Sequence, residues 1–171
     1  MTSKTKNSYL AMMAEQCGRY EEMTRYLIEM VKDEETDLAS DDRNLFSLAF
    51  HCSHSLKRTS LRTVIARENK ERKVKDSSVL SYIQEYRKKI QDEYVETINN
   101  ILSIIDSVLL KKARDSEARL FWYSMKGIYY KYMAEYTEME LKEKTSYNAI
   151  YSYEDAFKEA ENFSPAHLSV L

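Results

Sequence analysis

Apolar residues recur along this chain at spacings of three and four, the signature of one buried stripe on each of several α-helices. A first helix is predicted from about Lys4 to Gly18, with Leu10, Met13, Ala14 and Cys17 on its stripe and Gly18 as its C-terminal stop. A second covers about Tyr20–Lys32 and turns Met23, Tyr26, Leu27, Met30 and Val31 inward. Ser40, followed by Asp41 and Asp42, reads as an N-cap with first-turn acids. It opens a third helix to about Lys70, carrying Leu45, Leu48, Ala49, Cys52 and Leu56. The fourth and longest starts at Ser77 and ends near Lys111, on a stripe from Val79, Tyr82, Ile83, Tyr86 and Ile90 to Ile98, Ile101, Leu102, Ile105, Val108 and Leu109. Asp115-Ser116-Glu117 starts a fifth, to about Glu140, and Thr145 or Ser146 a sixth, to about Asn162. Ser164-Pro165 then reads as the start of a seventh, so the chain looks cut within a helix.

Composition agrees with helix throughout. There are only two glycines and one proline in 171 residues, too few for the tight turns of a sheet protein. The fold class is therefore all-α, an antiparallel helical bundle in one domain over residues 1–171. Most of the fourteen tyrosines fall at helical spacing and read as core. Cys17 and Cys52 sit in helical stripes, as buried free thiols do, and a reducing compartment follows, cytoplasmic or nuclear. No stretch approaches the ~20 apolar residues of a membrane span.

The net charge of −2 selects neither nucleic acid nor anionic membrane, but its sign is segregated. Residues 21–42 hold nine acidic and two basic residues, whereas 57–75 hold eight basic and two acidic. Such runs are solvated helix faces or docking surfaces. His51, Cys52 and His54 form the only His/Cys cluster, an incomplete metal site at that spacing. No glycine-rich phosphate loop or nucleophile elbow occurs, and neither an enzyme nor a cofactor is expected.

Three stretches carry a family resemblance: Ala14-Glu15-Gln16-Cys17-Gly18-Arg19-Tyr20-Glu21-Glu22-Met23; Arg43-Asn44-Leu45-Phe46-Ser47-Leu48-Ala49-Phe50 with Lys57-Arg58-Thr59-Ser60; and Met125-Lys126-Gly127-Ile128-Tyr129-Tyr130-Lys131-Tyr132-Met133-Ala134-Glu135. In this order they resemble the 14-3-3 proteins, dimeric adaptors of nine antiparallel helices that bind phosphoserine and phosphothreonine peptides. A tetratricopeptide-like repeat is the competing fold. Tyr123, Gly127, Tyr130, Phe157, Ala160 and Pro165 echo its pattern, but no second copy follows at a 34-residue period.

The resemblance implies a phosphate pocket in which Arg58 and Tyr132 keep the family's residues. His51 stands where a lysine is usual and Lys131 where an arginine is usual. A lysine lacks the forked contact of an arginine, and a histidine is only partly charged at neutral pH. Binding is thus expected to be weaker by roughly tenfold to a thousandfold and to strengthen as pH falls toward about 6. The family's remaining helices supply asparagines for the peptide backbone and an apolar wall, positions beyond the end of this sequence.

The resemblance also implies a dimer, with Arg19–Glu93 and Glu22–Lys89 as ion pairs between subunits. Met13, Cys17, Ser60, Val64 and Tyr86 would form its apolar part, and Arg67 stands where an apolar residue is usual. The implied partners are phosphorylated client proteins and a second 14-3-3-like chain. The alternative is a dimeric helical scaffold that has lost phosphopeptide recognition.

Overall fold

A computed structural model describes residues 3–33, 37–74 and 78–162, with the side chains of 3–5 and 33 left aside. The described residues form helices and no strand. In chain order these are α1 (Ser3–Gln16), α2 (Tyr20–Asp33), α3 (Ser40–Glu71), α4 (Leu80–Ile104), α5 (Ser116–Ala134) and α6 (Met139–Glu161). A π-helical turn, Ile105–Leu109, continues α4 into a last turn, Leu110–Lys112. The expected starts at Ser77 and at Ser164-Pro165 lie outside the described residues.

Gly18 ends α1 as its sequence suggested. It takes the left-handed φ of 67°, while Gly18 N–H donates to the Glu15 carbonyl and Arg19 N–H to that of Ala14. This double closure turns the chain straight back, and α2 packs on α1. Asp115 caps α5 by accepting from the Ala118 N–H at 2.8 Å.

Other boundaries moved for physical reasons. Ser40 is the first helical residue of α3 rather than its cap; Ala39 holds that place with no side-chain bond. The fifth helix stops at Ala134, not Glu140. The Tyr136 N–H tightens onto the Met133 carbonyl, and the Thr137 hydroxyl donates to the same oxygen. The sixth begins at Met139, because the hydroxyls of Thr145 and Ser146 do not cap anything. They donate back to Leu141 and Lys142 carbonyls within the helix.

The core is one cluster. Met23, Leu27 and Met30 of α2 meet Phe46, Phe50 and Leu61 of α3, Tyr94, Ile98 and Ile101 of α4, and Trp122 of α5. The stripe of α2 is as predicted. That of α3 is displaced: of its predicted members Ala49 is buried, Leu45 and Cys52 are half-buried and Leu48 and Leu56 are exposed, while Phe46, Phe50, Ser53 and His54 face inward. On α1 the buried residues are Asn7, Ala11 and Ala14, so Met13 and Cys17 are exposed and Leu10 is half-buried. Neither cysteine is buried. The start of the fourth stripe does not reach the core, since Val79, Tyr82 and Tyr86 are exposed, whereas Ile90 packs against it. Of the fourteen tyrosines Tyr94 and Tyr129 are buried and Tyr20, Tyr26, Tyr130, Tyr132 and Tyr136 pack half-buried against the core, so half of them rather than most are core.

Candidate functional site

Alternating up-and-down helices leave α3 and α5 running side by side in the same direction, over α4. Cross-contacts fix their register: Arg43 pairs with Glu117 and Arg62 with Tyr136 at an offset of 74 residues, and Arg58 pairs with Glu135 at 77. The two helices are bridged by these side chains. Tyr94 of α4 closes the gap from below, its hydroxyl 3.5 Å from the Tyr132 carbonyl.

The most heavily bonded of these bridges is Arg58. Its Nε donates to Glu135 Oε2 at 3.1 Å, and its Nη2 reaches Oε1 at 2.8 Å and Oε2 at 2.5 Å. The guanidinium carbon lies 4.8 Å from the centre of the Tyr132 ring, a cation–π contact. Burial would lower the Arg58 pKa, but its bonds to Glu135 and Tyr136 more than offset this and raise it. Arg62 adds a second cation to the same face, donating from Nε to the Tyr136 hydroxyl at 3.0 Å.

Tyr132 rests on His54. The two rings are stacked, with centroids 4.5 Å apart and 18° between planes. Tyr94 and Tyr129 enclose the imidazole at 5.6 and 5.7 Å. His54 is 1% exposed, and neither ring nitrogen has a hydrogen-bond partner among the described residues. Burial foremost, then the positive Arg58, pushes its pKa down to about 4.

Of the expected pocket, the structure brings Arg58 and Tyr132 into contact. His51 is exposed two turns before Arg58, and Lys131 is exposed beside Tyr132 with no ion pair among the described residues. From sequence His54 was weighed only as part of an incomplete metal site and Glu135 only as the end of a motif, and neither was expected in the phosphate site. The signal existed: His54 lies four residues before Arg58, and Glu135 three after Tyr132, so each shares a face with its partner. No group of three or more His, Cys, Asp or Glu among the described residues is placed to hold a metal ion. No described helix is long and apolar enough to cross a membrane.

Of the expected interface residues, Met13, Cys17, Arg19, Ser60, Tyr86, Lys89 and Glu93 are exposed, and Glu22 and Val64 are half-buried. Within the single chain Arg19 pairs with Glu22, and Arg67 pairs with Glu71 at 2.5 Å.

The profile of the 14-3-3 protein family matches residues 10–171. The 14-3-3 protein 2 of Entamoeba histolytica is 34% identical over 98% of this chain and 70% of its own length. The checkpoint signal transducer rad25 of Schizosaccharomyces pombe is 34% identical over 98% of the chain, which spans 61% of it. Protein BMH1 of Saccharomyces cerevisiae is 36% identical over 91% of the chain, which spans 58% of it. With the helical architecture and these matches together, the chain belongs to the 14-3-3 family.

Proposed function

We propose that this chain is a phosphoserine- and phosphothreonine-peptide-binding adaptor that works as a dimer and takes the phosphate between α3 and α5. The observation that carries this reading is the fixed guanidinium of Arg58. Glu135 holds one edge at two points and the Tyr132 ring supports its face. A planar donor held in this way loses little freedom when a phosphate docks. Lys131 and His51, exposed on the same two helices, add donors around it. Glu135 neutralises part of the charge, so the phosphate must share Arg58 with a carboxylate.

The test is titration of a phosphoserine peptide and its unphosphorylated twin against the longest natural form of the protein, at about pH 7 and pH 6. The phosphopeptide is expected to bind more tightly. Arg58→Glu is expected to erase the difference. Equal binding of both peptides to the parent protein rules the reading out.

The double hold of Glu135 on Arg58 favours one other reading, a dimeric helical scaffold without phosphate recognition. It requires a dimer by light scattering with no phosphate preference at either pH.

For the dimer, the support is an apolar surface that the chain's own core does not use. Tyr9, Met12 and Met13 on α1, and Tyr82 and Tyr86 on α4, are all exposed. Forming Arg19–Glu93 and Glu22–Lys89 between subunits would exchange the internal Arg19–Glu22 pair for two others.

A further inference from the structure

The imidazole of His54 is a costly side chain for the place it occupies. It is buried, and neither ring nitrogen has a hydrogen-bond partner among the described residues. Burying polar nitrogens without bonds forfeits their hydration, a loss that an aliphatic side chain in the same space would not incur. What the imidazole offers instead is a flat face. That face lies against Tyr132, with centroids 4.5 Å apart and planes within 18°. The neighbouring ring contacts are not of this kind: Tyr129 meets Tyr132 edge-on at 6.1 Å, and Tyr94 meets His54 at 36°. One turn further along α3, Arg58 presents its guanidinium to the same Tyr132 ring at 4.8 Å. A single tyrosine of α5 thus touches two side chains of α3, one buried and boxed in by rings, the other the cation of the proposed phosphate site.

We propose that His54 is a positioning residue for phosphate binding: stacked on Tyr132, it keeps that ring against the Arg58 guanidinium, which then meets a phosphate already oriented. This rests on the phosphopeptide reading above. Glu135 bonds the guanidinium along one edge, at Nε and Nη2. Bonds along one edge leave the group free to tilt about it, and the Tyr132 ring limits that tilt. A half-buried tyrosine free to turn about its own side-chain bonds could not do so. The stack on a buried, enclosed imidazole removes that freedom. Burial also keeps the imidazole neutral at neutral pH, so the stack brings no second cation against the Tyr132 ring. Losing an aromatic contact of this kind is expected to weaken phosphopeptide binding about three- to tenfold.

The experiment measures a phosphoserine peptide and its unphosphorylated twin by fluorescence anisotropy at neutral pH, on the longest natural form of the protein and four variants. His54→Ala and His54→Leu remove the flat face, and leucine fills most of the space, so it carries the comparison if circular dichroism shows that the alanine variant does not fold. Both are expected to lose about three- to tenfold in phosphopeptide affinity with the twin unchanged. His54→Phe restores a stacked ring and should stay within about twofold of the parent. Ile101→Val lowers stability from the core, two turns along α4 from Tyr94, and should leave both affinities as they are. A second readout needs no peptide: the NMR shift of the Arg58 Nε–H, which senses the Tyr132 ring. In His54→Leu it is expected to move toward its position in Tyr132→Leu, and in His54→Phe to stay near the parent's. The positioning role alone is overturned if the parent prefers the phosphopeptide but His54→Leu binds it equally well, if His54→Phe or Ile101→Val loses as much as His54→Leu, or if the Arg58 signal does not move in His54→Leu. If the parent shows no phosphate preference, the adaptor reading falls and the positioning role falls with it.

Discussion

The stacked imidazole of His54 ties the pocket's geometry to acid stability. Its folded-state pKa, about 4, lies below the ordinary 6.5, so between these values the unfolded chain binds a proton that the folded chain refuses. Stability is whole above about pH 6.5 and falls as pH drops toward about 4, by on the order of 3 kcal/mol. His54→Phe keeps a ring beneath Tyr132 and removes the titration. Urea denaturation across this range should then show a flatter dependence than the parent; an equally steep curve would assign the acid sensitivity elsewhere. Lys131 gives a second expectation at this scale. Lys131→Arg restores a forked donor beside Tyr132 and should tighten phosphopeptide binding about tenfold, with no change in affinity for the unphosphorylated twin. Arg58, Lys131, Tyr132 and His51 could be proposed from the sequence, because each occupies a recognisable place in a motif, and of them the structure brings Arg58 and Tyr132 into contact. His54 could not, because a histidine's burial depends on which face of α3 meets Tyr94 and Tyr132, and periodicity left that face one position out.

At the level of elements, the ends that a sequence can specify are those closed by local chemistry. Gly18 and Asp115 are such cases, one by its φ of 67° and the other by its carboxylate on the Ala118 N–H. Asp115→Ala is expected to lower stability by about 1 kcal/mol in chemical denaturation. Thr145 and Ser146 look the same in sequence, yet their hydroxyls fold back onto their own helix. The α5–α6 contact was equally hidden. A Cβ on Gly127 would come within 2.6 Å of the Tyr153 ring, so the glycine serves close helix packing rather than a turn. Gly127→Ala should destabilise the parent by about 1 kcal/mol, as displacing the ring outweighs the gain in helix propensity. With Tyr153→Ala in place, the same change should stabilise by about 1 kcal/mol, and additive effects in the double-mutant cycle would show that the two residues do not touch in solution.

For the whole molecule, the exposed apolar residues on α1 and α4 make self-association the property to measure. Tyr86→Glu places a charge on that surface without entering the core, so it should shift the protein toward monomer by light scattering at micromolar concentration while leaving the helix content unchanged. A parent that is already monomeric would remove the dimer from the proposed function. The sequence by itself determined the helical class, the stripe of α2, the ends at Gly18 and Asp115, and the family, because glycine and proline scarcity, 3.6-residue periodicity and short motifs are local properties of the chain. Only the tertiary structure decided the rest. It paired Arg58 with Glu135 and stacked Tyr132 on His54. Those relations depend on the register between α3 and α5, which is fixed by how α4 and the core beneath them pack, and no local pattern in either helix encodes that offset.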